Sequence, residues 1–351
     1  MTIKEVAKKA GVSISTVSRV LNNKNWVDSK TREKVLLAVE ETHFVPNGIA
    51  RYLGGEHNET GIIGALFASP VSSFLTEYDV FYKIVLGITD ITDQHGKCLL
   101  LEHAKEDYQN SDQLPNMIKR GLVDGIIVGG VPINENLIRD LKKTGRALVV
   151  IGKYKSFPTH RVLVDNFGGG YTAAEHLLQE GYKNIALIAG SLDIYHYADK
   201  VSGYEAACAA YKRKTNRKYM IEAPGQPEEA GYDSMKRLIN SKPKPDAVFI
   251  TDPSLTIGAL RYLEEHEIKV PADIALVSYG CGCNFIKTTF GQLTYIHNGD
   301  RNIGHAAARL LFDIIEGNAQ DEYDITISTR LIIGSSSIRE KRGAKQRPVK
   351  H

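Results

Sequence analysis

Residues 12–22 read V-S-I-S-T-V-S-R-V-L-N, and the rest of the chain can be ordered around them. At helical spacing, Val17, Val20 and Leu21 share one side, whereas Ser15, Ser18, Arg19 and Asn22 share the other. A shorter helix is predicted just before it, because Ile3, Val6, Ala7 and Ala10 recur at the same spacing. Gly11 ends that helix where the chain must turn and a positive φ costs glycine little. Ser13 is placed to cap the next helix by accepting from its orphan amides. The result is a helix-turn-helix. The outer face of its second helix is small and polar and carries one cation, which suits base edges and phosphates.

Working outward, residues 23–29 are polar and hold the sole tryptophan, Trp26. Asp28 or Ser29 caps a third predicted helix running to about residue 42, whose Val35, Leu36 and Val39 close a small three-helix core. Its task is to hold the second helix rigidly. Residues 1–26 carry Lys4, Lys8, Lys9, Arg19 and Lys24 against one acid, Glu5. That local excess is the footprint of a DNA-binding face, although the whole chain is only +3. Val45-Pro46-Asn47 then breaks the helix, since a residue before proline avoids the α region. Asn47 caps a short piece over 48–53 that Gly54-Gly55 ends. About two turns do not survive alone in water, so this hinge is expected to be helical only with DNA and a partner hinge present.

Residues 2–53, with T-I-K-E-V-A-K-K-A-G-V-S-I-S-T-V-S-R-V-L-N and then F-V-P-N-G-I-A-R-Y-L, closely resemble the headpiece of the lactose repressor (LacI/GalR) family of bacterial transcription regulators. The match covers all three helices and the hinge. The resemblance implies that Ser13 and Thr16 bind phosphates. It places Ile14 and Ser15 at the positions that choose the operator, with Ser18, Arg19 and Asn22 on the same DNA-facing side. It also implies that Ala50 and Leu53 face the minor groove, where Leu53 would wedge into the central base step and bend the duplex.

From residue 61 the texture changes. Apolar strands at 62–67, 98–101, 125–128 and 147–151 alternate with helices near 80–95, 112–120 and 134–144. A second series has strands at 162–164, 185–189, 219–222, 247–251 and 274–278, with helices near 169–180, 198–214, 228–240 and 254–266. Strand-then-helix runs with short turns predict parallel, doubly wound sheets. Two series without a long linker predict an α/β core of two Rossmann-like lobes, similar to the periplasmic-binding-protein fold that the family carries. The last segment, with a strand at 293–296, a helix at 300–316 and a strand at 325–332, is expected to cross back between lobes. The expected division is a headpiece at 1–45, a hinge and linker at 46–58, a core at 59–338 and a basic, disordered tail at 339–351. Within the core, one lobe takes 59–160 and 297–322, the other 161–292 and 323–338.

Hydrophobic content of 42% and charged content of 24% are ordinary for a globular protein. No run approaches the ~18 apolar residues of a membrane span, and no apolar signal segment opens the chain, so a cytoplasmic protein without membrane contact is expected. Four scattered cysteines do not make a disulfide framework. Signs of catalysis are also missing. No G-x-G-x-x-G follows a first strand, no phosphate loop occurs, and His266-Glu267 leads to Val270 where a zinc protease would need histidine. Cys281-Gly282-Cys283 is a lone pair and reads as free thiols. No catalytic residue, metal or cofactor is expected. Gly168-Gly169-Gly170 could cradle an anion but reads better as a tight junction between lobes.

Where the family binds its effector, the resemblance implies a cleft lined by Phe81, Asp165, Tyr195, His196, Lys200 and Asp252, a set suited to a sugar or sugar derivative. Two departures stand out. Lys200 replaces a usual arginine and loses its bidentate fork. Tyr279-Gly280-Cys281 replaces a usual Asp-Asp. The loop over 69–79 also looks long. The expectation is therefore a homodimeric repressor that reads a palindromic operator under control of a small-molecule effector, a sugar or sugar derivative. A non-sugar effector or a protein co-effector is the alternative; a solute-binding protein would have no use for residues 1–55.

Overall fold

The computed structural model describes residues 2–21, 26–44, 59–67, 77–104, 114–130, 135–153, 158–223, 225, 227–280, 291–319 and 321–339. Two compact units meet in the chain at Gly61 and Ile62.

The first unit is helical: α1 (Ile3–Ala10), α2 (Ile14–Leu21) and α3 (Ser29–Thr42). Glu5 reaches back to the Thr2 amide at 2.7 Å, and Gly11 turns the chain at φ 67°. Ser13 caps α2 by accepting from the Thr16 amide at 3.1 Å, and Asp28 caps α3 through Thr31 at 3.0 Å. Val6, Ala7, Val17, Val20, Val35 and Ala38 form the core. One expectation is corrected: Leu36 is 51% exposed, and Ala38 takes its place. The inward side of α3 runs 35, 38, 39, 42, the three-and-four spacing of one helical face, and residue 36 falls about 100° off it. The hinge over 46–58 with Ala50 and Leu53, and the positions Asn22 and Lys24, lie outside the described residues.

The second unit holds two six-stranded sheets. The first is built from β1 (Ile62–Phe67), α4 (Glu77–Gln94), β2 (Cys98–His103), α5 (Asn116–Lys119), β3 (Gly125–Gly129), α6 (Glu135–Lys143), β4 (Ala147–Ile151) and β5 (His160–Val164). The second follows with α7 (Asn166–Gln179), β6 (Ile185–Ala189), α8 (Tyr195–Ala210), β7 (Met220–Glu222), α9 (Pro227–Ile239), β8 (Ala247–Ile250), α10 (Pro253–Glu265), β9 (Ala275–Tyr279) and β10 (Thr294–His297). Then come α11 (Asp300–Ile315), β11 (Asp324–Ile327) and β12 (Arg330–Ile332). Strand order is β2-β1-β3-β4-β5-β11 in one sheet and β7-β6-β8-β9-β10-β12 in the other. Pairing is parallel throughout except between β10 and β12. The central strands β3, β6, β8 and β9 are buried along their length, as parallel strands covered by helices on both faces must be.

The chain passes between sheets three times: after β5, after β10 and after β11. This corrects the expected lobe boundaries. Residues 160–164 pair with β4 and therefore belong to the first sheet, although they were expected to open the second. The single strand expected over 325–332 is two strands, β11 beside β5 and β12 beside β10. Each is an edge strand, and its partner was placed more than thirty residues of chain away, where local pattern carries no information. A third correction concerns Arg339, expected to begin a disordered tail. Its amide donates to Glu180 at 3.1 Å and its guanidinium lies over the Tyr182 ring. Residues 340–351 lie outside the described residues.

Candidate DNA-binding helix and effector cluster

On α2 the buried pair Val17 and Val20 fixes which side faces out. Ser13, Ser15 and Arg19 are exposed, Ile14 is 44% exposed, and Thr16 and Ser18 are half-buried. The Ser13 hydroxyl lies 2.8 Å from both the Ser15 and Thr16 hydroxyls, so the helix opens on a small cluster of polar oxygens. Ile14 is an apolar group presented to solvent at the amino end, the end that enters a major groove in this motif. Lys9 of the expected cationic cluster pairs with Glu41 at 2.9 Å.

In the second unit, ligands of doubly wound sheets bind at the carboxyl ends of strands where the order reverses. The order of the second sheet reverses between β6 and β8. Past those ends stand Gly190, Thr251 and Asp252, and the first turn of α8 leans over them. The Gly190 amide donates to Thr251 Oγ1 at 3.3 Å. Asp252 caps α10: its Oδ1 accepts from the Ser254 amide at 2.8 Å and the Leu255 amide at 3.3 Å. Its Oδ2 accepts from the Tyr197 hydroxyl at 2.8 Å. Lys200, one turn on from Tyr197, is buried. Its Nζ donates to the Thr251 carbonyl at 3.0 Å and lies 3.8 Å from the Tyr279 ring centroid and 5.2 Å from that of Tyr197. Burial lowers the Lys200 amine from 10.5 to about 7, with Asp252 opposing the shift. Burial also lowers the His196 imidazole to about 3, helped by Lys200. Tyr279 is buried and donates to Asn166 Oδ1 at 2.9 Å; burial first, then Asp165, Asp300 and Asp199, raise its phenol.

The structure thus brings together Lys200, Asp252 and, through its 4.1 Å contact with the Tyr197 ring, His196. Asp165 caps α7, accepting from the Gly168 amide at 2.8 Å, and its charge reaches Tyr279. Tyr195 lies beside Lys153, whose Nζ is 5.9 Å from its ring and 3.3 Å from Asp199. Phe81 sits apart, edge-on to Phe67 at the end of β1, 5.0 Å between centroids. Tyr197 escaped the sequence reading, which named its neighbours. The available signal was its i, i+3 spacing to Lys200, which puts both on one helical face. The three glycines of α7 serve packing: a Cβ at Gly169 would lie 2.7 Å from the Tyr279 ring, and one at Gly170 would lie 2.1 Å from the Lys200 carbonyl. Cys281 and Cys283 lie outside the described residues.

Residues 2–47 match the family described as bacterial regulatory proteins, lacI family, and residues 174–337 match a periplasmic binding protein-like domain. The HTH-type transcriptional repressor PurR of Erwinia tasmaniensis is 30% identical over 334 residues, covering 94% of this chain and 95% of that protein. This chain belongs to the lacI family. Among solved structures, a complex of the transcriptional regulator CelR with cellobiose shares 26% identity at a TM-score of 0.70 and covers 96% of this chain and 99% of its own. The lac repressor dimer bound to operator superposes more closely, TM-score 0.80 over 97% and 99% of the two chains, at 23% identity. The lacI-family chain is accordingly a DNA-binding transcriptional repressor with an effector domain, and not an enzyme. The expected headpiece and two-lobed core are those of its family. Among the described residues no helix is long and apolar enough to cross a membrane.

Proposed function

We propose that this repressor acts in the cytoplasm as a homodimer that sets two α2 helices in successive major grooves of a palindromic operator and releases or grips it when a small carbohydrate enters the effector domain. The observation that carries the DNA half is the outward face of α2, with Ile14, Ser15 and Arg19 exposed over buried Val17 and Val20. Ile14 and Ser15 meet base edges there, an apolar group being suited to a thymine methyl. Ser13 and Thr16 bind phosphates and fix register, Arg19 contacts phosphate or base, and Ser18 and Asn22 flank them. Ala50 and Leu53 of the hinge enter the minor groove between the half-sites.

Support for the effector half comes from the grouping of Lys200, Asp252 and His196 around the switch point of the second sheet, with Tyr195 and Asp165 read as further contacts at its margin. Polar groups able to orient hydroxyls stand there beside aromatic rings. CelR, a relative at 26% identity, was solved with cellobiose. Phe81 would close the pocket from the first sheet. A non-sugar effector is the second reading, favoured by Tyr279 standing where the family's carboxylate is expected and by an Asp252 carboxylate that already accepts three hydrogen bonds.

The test is a thermal-shift screen of the full chain against sugars, disaccharides, sugar phosphates and purines, followed by operator binding with each hit. A ligand at 100 times its Kd adds roughly 2.7 kcal/mol of stability. A disaccharide or monosaccharide that shifts Tm and changes operator affinity supports the reading. A hit only from the purines installs the second reading.

A further inference from the structure

The second unit has a pocket of about 390 Å³ far from the effector cluster, formed where the carboxyl end of α8, the turn Arg217–Tyr219 and the start of β6 meet. The two sites lie at opposite ends of β6. Lys183 and Asn184 lead into the strand at the pocket, and Gly190 leaves it at the cluster. Five strand residues at about 3.3 Å each separate them.

Four cations line this pocket, Lys183, Arg213, Lys214 and Arg217, and no acid does. Among the described residues, none of these four side chains holds a hydrogen bond or an ion pair; the neighbouring carboxylate, Asp246, accepts instead from the backbone amides of Lys183 and Asn184 at 2.9 and 2.8 Å. Lys212 takes a left-handed φ of 53° at the end of α8, which turns Arg213 and Lys214 onto the rim. A helix carboxyl end attracts cations, but its dipole amounts to about half a negative charge and Asp246 adds one more, so roughly two and a half positive charges remain. Cations gathered around one concavity in this way make a field that favours an anion there. The volume falls within the range for small ligands, and two guanidinium forks suit phosphate oxygens better than a single carboxylate.

We propose that this pocket is a second ligand site, separate from the effector cleft, that takes a small anion with two or more linked phosphates. The lining polar groups Asn184 and Thr215 hold the same anion beside its charged oxygens.

The experiment titrates inorganic triphosphate into the full chain at fixed ionic strength, followed by calorimetry and thermal shift, with sulfate as the singly grouped control. The expected result is one saturable site per chain for triphosphate and at least tenfold weaker binding of sulfate. R213Q/R217Q should weaken triphosphate at least tenfold while keeping the wild-type Tm, and K214E should do the same should the first variant unfold. R19A, which removes a cation from the DNA-binding helix, should leave binding unchanged. Three results each overturn the proposal: binding that does not saturate, equal affinity for sulfate, or binding lost in R19A and kept in R213Q/R217Q.

Discussion

Replacing Lys200 with methionine removes an amine from a closed site and keeps most of its volume. The amine is held at about 7 when folded, against 10.5 in the unfolded chain. Between those values the unfolded chain binds more protons, so stability rises with pH, is lowest below pH 7 and recovers fully only above 10.5. A single group with this pair of values costs roughly 4 kcal/mol at pH 7 and roughly 1 kcal/mol at pH 9.5, a change of about 3 kcal/mol. The Thr251 carbonyl at 3.0 Å and the Tyr279 ring face at 3.8 Å favour the ammonium, so 3 kcal/mol is the upper end. Urea unfolding of wild type and Lys200→Met at pH 7.0 and 9.5 measures the change directly. Wild type should be destabilised relative to the variant at pH 7.0, and the gap should narrow by 1–3 kcal/mol at pH 9.5. A gap that stays constant across both pH values would show that the rings hold Lys200 as an ordinary cation, and the argument from burial would fall.

Three further outcomes are expected. Arg19→Ala should weaken operator binding and, where Arg19 meets a phosphate, flatten the dependence of log affinity on log salt by about one unit, read by fluorescence anisotropy across salt concentrations; an unchanged affinity removes α2 from the interface. Asp252→Asn keeps a capping side chain for α10 yet loses the charge that faces Lys200, so operator binding should persist while effector response disappears. Gly203→Ala should lower stability by about 1–3 kcal/mol in thermal unfolding, because its Cβ would stand 2.1 Å from the Phe167 carbonyl where α7 and α8 cross.

The headpiece was legible almost to the residue, because its information is local: α1 and α3 begin and end where the apolar spacing and the caps Gly11 and Asp28 put them. The parallel strands were legible for a different reason, being short apolar runs between helices. Their partners were not. His160–Val164 reads the same whether it opens one sheet or closes the other, and only long-range pairing with β4 decides. The sequence D-I-T-I-S-T-R-L-I-I over 324–333 alternates without glycine or proline, so nothing in it marks the place where the chain leaves β11 for β12. In the effector cluster, residue types carried the reading as far as Lys200 and Asp252. Tyr197 joins them through a bond to a carboxylate 55 positions away, which only the fold creates.

That exchange of edge strands governs how the protein can be made. β11 closes the edge of a sheet whose first strand starts at Ile62, and β10 and β12 close the other. Neither sheet can be completed while the chain is still emerging from the ribosome, since both wait for residues beyond 323. The outer edge of β5 must therefore stay unpaired through some 160 residues of synthesis, about 8–32 s at bacterial rates. A stop codon that removes only β11 and β12 would leave both lobes open together, and it should yield an aggregating chain rather than a repressor that has lost one half.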